Sequence, residues 1–558
     1  MGNREDPIMK PKNQSAGQAE WIDVLIIGAG FGGLRMLQEC RELGLEAIIL
    51  DAATDLGGTW YWNRYPGART DTESWAYCFY FSEKLNEQYS FKERYATWDS
   101  SLDYLNYAAD ALDMRRHMRF ERRVTTARYI NSENVWEVQT DTGETYRCRY
   151  LVSASGVLSV AYKPPFKNSE AFNGKVYLTA NWPKEHVDFA GKRVAVIGTG
   201  ASGVQVIPII AHEAAHVTVF QRTPNYVLPA RNAPVTDAQQ RAIRRDFHQM
   251  VAQCRKQVFA FPMTDSKVAL KSVSPEEQQR VLERGWEIGG FQFAFETFND
   301  ILTDRESNAV VAEFVRKKIR AIVKDPKTAE MLCPDYALFA KRPPLGHFYF
   351  ETFNRPNVNL VDVSDDPIEA MTATGLKTRT REFGDFDAVV YATGFDGGTG
   401  ALVKIDVRGT NNQSIAETWR KSLQTQFGIC MNGFPNFFMI SGPQAPFANT
   451  PMIVDRAVTW IGDCIRHVQA SGDTVVEARA EACENWTKFV QTTMDMTVLA
   501  DGAGVNSWFL GKNIPGKLQA PLFFFGGANN YFIELEKESG GGFKGMQFRR
   551  PTIDAAAA

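Results

Sequence analysis

Two glycine clusters carry the clearest chemistry in this sequence: Gly28-Ala29-Gly30-Phe31-Gly32-Gly33 and Gly198-Thr199-Gly200-Ala201-Ser202-Gly203. Each opens directly off an apolar, β-branched run, residues 23–27 and 193–197, and each is followed by helix-forming sequence. The strand, turn and helix that dinucleotide binding requires are therefore expected twice. Glycine in such a turn lets the backbone bend sharply and approach a pyrophosphate, which then rests on the electropositive helix N-terminus. Gly28, Gly30, Phe31 and Gly33 are candidates for one nucleotide, and Gly198, Thr199, Gly200, Ser202 and Gly203 for another. One such site suggests a dehydrogenase; two suggest a flavoprotein supplied with electrons by a nicotinamide.

The end of the second strand separates the two sites. Counting 23 residues from Gly28 reaches Asp51, a carboxylate able to grip the ribose hydroxyls of FAD or NAD. The same count from Gly198 reaches Gln221 and then Arg222, with Thr223 beside it. No carboxylate repels a 2′-phosphate there, and a guanidinium can bind one bidentately, so the second site favours NADPH over NADH.

The elements that must position these residues follow from the rest of the chain. Its 558 residues make roughly three to four domain-sized units. Strand-and-helix units run to residue 156, and a Pro-rich connector, Lys163-Pro164-Pro165-Phe166, leads to the second nucleotide unit. From Pro229 to Leu338 the pattern turns helical. Ser274-Pro275-Glu276-Glu277 has the form of a capped helix start, and Val311, Phe314, Val315, Ile319, Ile322 and Val323 recur at helical spacing until Lys324-Asp325-Pro326 stops them. A buried strand over 387–396, ending in a glycine turn, signals return to the first domain. The fold class expected is α/β: two Rossmann-like dinucleotide-binding domains with a helical insertion. The pieces are 1–155 and 388–558 for FAD, 156–228 and 339–387 for NADPH, and 229–338 for the insertion.

Composition excludes other classes. The net charge of −3 gives no reason to expect nucleic acid or an anionic membrane as a partner. Met1 to Glu20 is polar without an apolar signal core, and no stretch is long enough to span a bilayer, so a soluble cytoplasmic protein is expected. The eight cysteines contain no Cys-x-x-Cys, which argues against disulfide reductases and zinc knuckles. The seven histidines show no metal spacing; His212 and His216 lie four apart without a third ligand, and His347 is left unassigned. Ala555 to Ala558 is the one low-complexity tract.

Further motifs bring a resemblance. The run Gly57-Gly58-Thr59-Trp60-Tyr61-Trp62-Asn63-Arg64-Tyr65-Pro66-Gly67-Ala68-Arg69-Thr70-Asp71, the pair Lys341-Arg342, the turn Ala392-Thr393-Gly394, Ser507-Trp508 and Asn513-Ile514-Pro515-Gly516-Lys517 occur in order over nearly the whole chain. Together they resemble the type I Baeyer–Villiger monooxygenases. The loop from Gly442 to Pro451 is similar to the shorter, cyclohexanone-type version. One departure stands out. The family fingerprint Phe-x-Gly-x-x-x-His-x-x-x-Trp-Pro is matched by Phe172, Gly174, Trp182 and Pro183, but Leu178 occupies the histidine position.

The resemblance implies FAD and NADPH as cofactors, with a ketone and O2 as partners. Reduced FAD and dioxygen give a C4a-peroxide that attacks the ketone, and one carbon migrates to oxygen to give an ester or lactone. Arg342 supplies the fixed positive charge for this chemistry and Asp71 its carboxylate partner, and a purely structural ion pair between domains is the alternative. Gly58, Thr59 and Trp60 belong to the flavin side. Lys341, pointing the other way along an extended strand, joins Arg222 at the 2′-phosphate, and Trp508 is a lid against NADP. Phe447 and Thr450 line the substrate pocket. The fingerprint segment is a connector that couples domain movement to flavin reduction. Leu178 leaves open a related S- or N-oxygenating enzyme or an uncoupled NADPH oxidase, and a non-catalytic flavoprotein is a third possibility. No metal is expected, and the oligomeric expectation is a monomer or weak homo-oligomer.

Overall fold

The computed structural model describes residues 19–550; the polar N-terminal stretch and the alanine-rich end lie outside the described residues. The chain begins with β1 (Glu20–Ile27), α1 (Phe31–Glu42) and β2 (Ala47–Leu50), and continues through β3 (Met118–Arg119), β4 (Val124–Ile130), β5 (Val135–Thr140) and β6 (Thr145–Ser153). A second set comprises β7 (Lys175–Leu178), β8 (Arg193–Ile197), α2 (Ala201–Glu213) and β9 (His216–Gln221). A mainly helical span follows, containing α3 (Pro275–Ile288) and α4 (Arg305–Ile322). Then come β10 (Val358–Asp362), β11 (Ala388–Tyr391), β12 (Asp406–Arg408), β13 (Phe437–Met439) and α5 (Thr450–Ser471).

Two sheets organise these strands. The first has the order β12-β4-β5-β6-β1-β2-β3, with β13 also pairing β6; the second, all parallel, has the order β10-β9-β8-β11-β7. β1 and β8 are interior strands, which is why their sequences are continuous β-branched runs and not alternating ones. Each hands over to its helix through a glycine turn that no other residue fits. A Cβ on Gly33 would lie 1.9 Å from the Gly28 carbonyl oxygen, and one on Gly203 would lie 2.2 Å from that of Gly198. The helix can lie against its strand only because these side chains are missing.

The insertion forms as its sequence dictates. Ser274 accepts the Glu277 amide at the head of α3, with Pro275 in the first turn, and Asp304 accepts the Ser307 amide at the head of α4. The stripe Val311, Phe314, Val315 and Ile319 is buried, and it joins Val194, Val196, Val217 and Val219 of the second sheet in one continuous core.

The structure corrects two positional expectations. β11 does not open the return to the first domain: it lies between β8 and β7, pairing Val194–Ile197 on one side and Lys175–Leu178 on the other. A fully buried apolar strand carries no mark of which sheet it joins, so the chain passes back only beyond the Gly394 turn. The fingerprint segment, too, is not a free connector. β7 is the edge strand of the second sheet, and Leu178 stands beside Tyr391. Trp182 is buried 5.3 Å from the Tyr177 ring and 6.2 Å from that of Phe189. Just beyond, Lys184 crosses to the first domain, donating Nζ to Thr54 Oγ1 at 2.9 Å and lying 5.1 Å from the Tyr61 ring centroid.

Candidate active site

A cavity of ≈ 1460 Å³ runs between the two nucleotide turns and is lined by Gly28, Gly30, Phe31, Asp51, Gly58, Thr59, Trp60, Asp71, Gly198, Thr199, Gly200, Ser202, Arg222, Thr223, Lys341, Arg342, Phe447, Thr450 and Trp508. Gly33 and Gly203, expected to touch the nucleotides, do not reach it; they act behind the turns, in the helix–strand packing just described.

At the first turn, Gly30 caps α1 without any side chain, leaving the first amides of the helix free for a ligand. Gly58 faces it so closely that a Cβ there would lie 2.9 Å from the Gly30 Cα. Such a bare backbone slot suits a pyrophosphate. Asp51 stands at the end of β2, its Oδ2 accepting the Ala29 amide at 2.6 Å and its Oδ1 the Ala53 amide at 2.8 Å. Burial pushes its carboxyl above the usual range while these amides pull it back. The result is a fixed acceptor where adenosine ribose hydroxyls would donate.

At the second turn, open space lies over Gly200, which likewise caps α2 without a side chain. Gln221 turns away, donating Nε2 to the Met331 carbonyl at 2.6 Å. Thr199 Oγ1 donates to the Thr223 carbonyl at 3.1 Å, tying the glycine turn to the segment that carries Arg222. Lys341 lines the same cavity close enough to Arg222 to feel its charge, and neither has a carboxylate partner among the described residues. Two neighbouring cations without an anion fit a phosphate. Lys341 does not sit on an extended strand, as expected, but in a bend after Phe339, whose φ is +78°. The bend, not strand alternation, sends Lys341 and Arg342 apart.

Burial and Arg222 together pull the Lys341 ammonium down to about 8. A bound 2′-phosphate sets negative charge beside the ammonium and outweighs both effects, so binding above that pH takes up a proton. The affinity for 2′,5′-ADP is therefore expected to fall as pH rises past about 8, by up to roughly tenfold per pH unit. Calorimetry from pH 7 to 10 checks this, and Lys341→Arg should flatten the profile; a flat parental profile would refute the contact.

Between the turns, Arg342 Nη2 donates to Asp71 Oδ2 in a short charge-assisted bond. The Asp71 side chain is 7% exposed and that of Arg342 24%, so the carboxylate is the buried anchor and the guanidinium fronts the cavity. Burial drives the Asp71 carboxyl upward, and Arg342 draws it back. The motif that delivers Asp71 docks on α2: Tyr65 donates its hydroxyl to Gln205 Oε1 at 2.6 Å, and Gln205 donates Nε2 to the Arg69 carbonyl at 3.2 Å. Gly67, at φ +84°, lets the two backbones meet; a Cβ would lie 2.4 Å from the Gln205 carbonyl oxygen.

Aromatic rings gather beside Arg342. The Arg342 guanidinium lies 5.9 Å from the Phe447 ring centroid, and Phe447 meets Trp508 edge-on at 5.2 Å. Trp508, expected as a lid over NADP, is here packed on Phe447, Phe509, Phe523 and the Gly397 backbone. Lys517 ties this C-terminal segment to Asp396 at 2.5 Å, and Asn513 donates Nδ2 to the Phe395 carbonyl at 2.9 Å. Thr450, exposed, begins α5 at the rim. The insertion contributes Phe259, Phe261, Phe291 and Phe295. Sequence reasoning missed these rings, together with Gln205 and Asn225, because they fall on no regular spacing.

Residues 22–271 match the family described as Flavin-binding monooxygenase-like. A Baeyer–Villiger monooxygenase of Pseudooceanicola batsensis is 42% identical over 93% of this chain and 95% of its own length. A phenazine N-monooxygenase of Lysobacter antibioticus is 38% identical over 94% of this chain and 96% of its own. The crystal structure of the NADP+-bound cyclohexanone monooxygenase of Rhodococcus sp. Phi1 superposes with a TM-score of 0.93 at 40% identity, covering 96% of this chain and 100% of that one.

Proposed function

The chain belongs to the Baeyer–Villiger monooxygenases, and from that membership we infer that it uses FAD, NADPH and dioxygen to convert a ketone into an ester or lactone. The observation that carries the chemical assignment is the Arg342–Asp71 pair, facing a cavity that joins both nucleotide turns. Bound FAD, reduced by NADPH, supplies the activation of dioxygen that no side chain can perform. The residues suited to hold it are Gly28, Gly30, Phe31, Asp51, Gly58, Thr59 and Trp60. Gly198, Thr199, Gly200, Ser202, Arg222, Thr223 and Lys341 suit NADPH.

Arg342 does the electrostatic work. Negative charge develops on oxygen as the carbonyl is attacked, and a preorganised guanidinium stabilises it at a part of the cavity wall that carries the Phe447 and Trp508 rings. A guanidinium supplies fixed charge without lending a proton that would release the oxygen as hydrogen peroxide. Asp71 orients the guanidinium through one oxygen and offsets the cost of its desolvation. Phe447 and Trp508 exclude water from the same face, and the apolar wall accepts the hydrocarbon part of the ketone.

Product analysis with NADPH, a cyclic ketone, an open-chain ketone and a thioether tests this assignment. Lactone or ester is the expected product. A second reading, oxygen insertion at nitrogen or sulfur, is supported by the phenazine N-monooxygenase relative and by Leu178. Sulfoxide or N-oxide without any ester would establish it instead. We further place the enzyme in the cytoplasm as a monomer or weak homo-oligomer, checked by cell fractionation and sedimentation.

Leu178 gives a separate expectation. Leu178→His restores a polar group at the end of an edge strand, close to the segment whose Lys184 reaches the first domain. A hydrogen bond made in only one domain arrangement contributes about 0.5–1.5 kcal/mol, enough to shift populations a few-fold without unfolding anything. Thermal stability should stay almost unchanged, while the rate of flavin reduction or the fraction of NADPH lost as peroxide changes. Stopped-flow reduction and peroxide release both matching the parent would make the position neutral.

A further inference from the structure

The loop carrying Lys341 and Arg342 is pinned at both ends by buried asparagines. At its start, Asn308 of α4 donates Nδ2 to the Leu338 carbonyl at 2.8 Å and accepts the Leu338 amide at 3.0 Å. Phe339 then takes the left-handed conformation described above, a local cost that surrounding contacts must hold in place. At the loop's end, Asn225 donates Nδ2 to the carbonyl of Arg342 at 3.2 Å.

The orientation of that amide is forced. Its Oδ1 faces the Tyr336 hydroxyl at 3.1 Å, and the same hydroxyl lies 2.9 Å from the Pro224 carbonyl. Flipped, Asn225 would set its own oxygen against the Arg342 carbonyl, acceptor against acceptor. Tyr336 is fixed in turn: Tyr226 donates its hydroxyl to the Tyr336 carbonyl at 2.6 Å and accepts Arg316 Nη1 at 2.7 Å. A strut thus runs from α4 through Tyr226 and Tyr336 to Asn225. Asn225 is buried at the cavity wall, three residues after Arg222.

We propose that Asn225 is the positioning residue that locks the main chain of Arg342 to the segment carrying Arg222, so that the catalytic guanidinium and the nucleotide-phosphate cations keep one fixed geometry. It rests on the roles given above to Arg342 and Arg222. Asn225 acts only through Arg342. Its loss leaves a buried carbonyl without its donor and frees one end of a loop that contains a strained residue. Lys341 and Arg222 keep their charges, so nucleotide binding should survive while the aim of Arg342 is lost.

The test compares full-length, FAD-loaded Asn225→Ala and Tyr336→Phe with the parent. For Asn225→Ala, the affinity for 2′,5′-ADP and the rate of flavin reduction by NADPH should stay within about twofold, whereas the share of NADPH released as hydrogen peroxide should rise about three- to tenfold. Amide hydrogen exchange over residues 340–346 should quicken while the rest of the chain is unchanged. Tyr336→Phe should shift both readouts the same way by less. Asn225→Ser serves if the alanine variant does not fold. Parental peroxide release together with parental exchange would overturn the proposal. So would a loss of 2′,5′-ADP affinity as large as the loss of product, which would make Asn225 a nucleotide ligand. If the parent itself oxygenates no ketone, the functional reading fails, and the exchange comparison still decides the role of Asn225.

Discussion

Arg342→Ala is expected to lower ester or lactone formation by at least about 10²–10³-fold while leaving flavin reduction intact. The guanidinium fronts the cavity beside Phe447, where negative charge on the transferred oxygen must be met without water. Hydride delivery from the nicotinamide involves no oxygen, so it does not depend on this charge. NADPH should still be consumed, with hydrogen peroxide as the product. Asp71, deprived of its partner in a buried position, should take up a proton in place of remaining charged. Arg342→Lys should not restore the reaction, because a compact, strongly hydrated ammonium cannot copy the planar fork that meets the carboxylate and the reacting oxygen together. Product formation near the parental level in the alanine variant would remove the role assigned to Arg342.

Arg222→Ala is expected to raise the KM for NADPH roughly ten- to a hundredfold, the equivalent of about 1.5–3 kcal/mol for a charge-assisted contact, and to leave the NADH reaction nearly unchanged. Arg222 lies close enough to Lys341 to act on its charge, and neither has a carboxylate partner among the described residues, so on the proposed assignment the lost interaction is the one with the 2′-phosphate. The parent should accordingly prefer NADPH strongly, and the variant should lose most of that preference. Equal losses with both nicotinamides would show that Arg222 supports the fold of the second turn and not its selectivity.

What could be read from the sequence was what is local. The glycine turns announce themselves because Gly33 and Gly203 sit where any side chain would collide with the carbonyl that leaves the strand, Gly28 or Gly198. Asp51 and Arg222 follow by counting, since a strand–helix–strand unit has a nearly fixed length. The helix starts at Ser274 and Asp304 follow from side chains that cap their own amides. Long-range choices were hidden. Residues 388–391 are equally apolar toward either sheet, and only pairing with β7 and β8 decides between them. The bend before Lys341 depends on a phenylalanine at positive φ, a conformation its residue type does not advertise. Asn225 and Gln205 gain their roles from partners more than a hundred residues away in sequence, and no spacing rule reaches that far.

The Arg342–Asp71 pair joins two separately held segments. Asp71 ends the motif that leaves the first sheet and docks on α2 through Tyr65 and Gln205, while Arg342 rides on a loop clamped by Asn225 and by Asn308 of the insertion. Its attraction falls with separation and weakens further once water enters the gap. Under the role proposed for Arg342, the pair would act as a coincidence detector, with the guanidinium aimed only when the loop and the Asp71 segment are seated against each other. A displacement small enough to leave both segments folded would then break the circuit, an off state built from geometry alone.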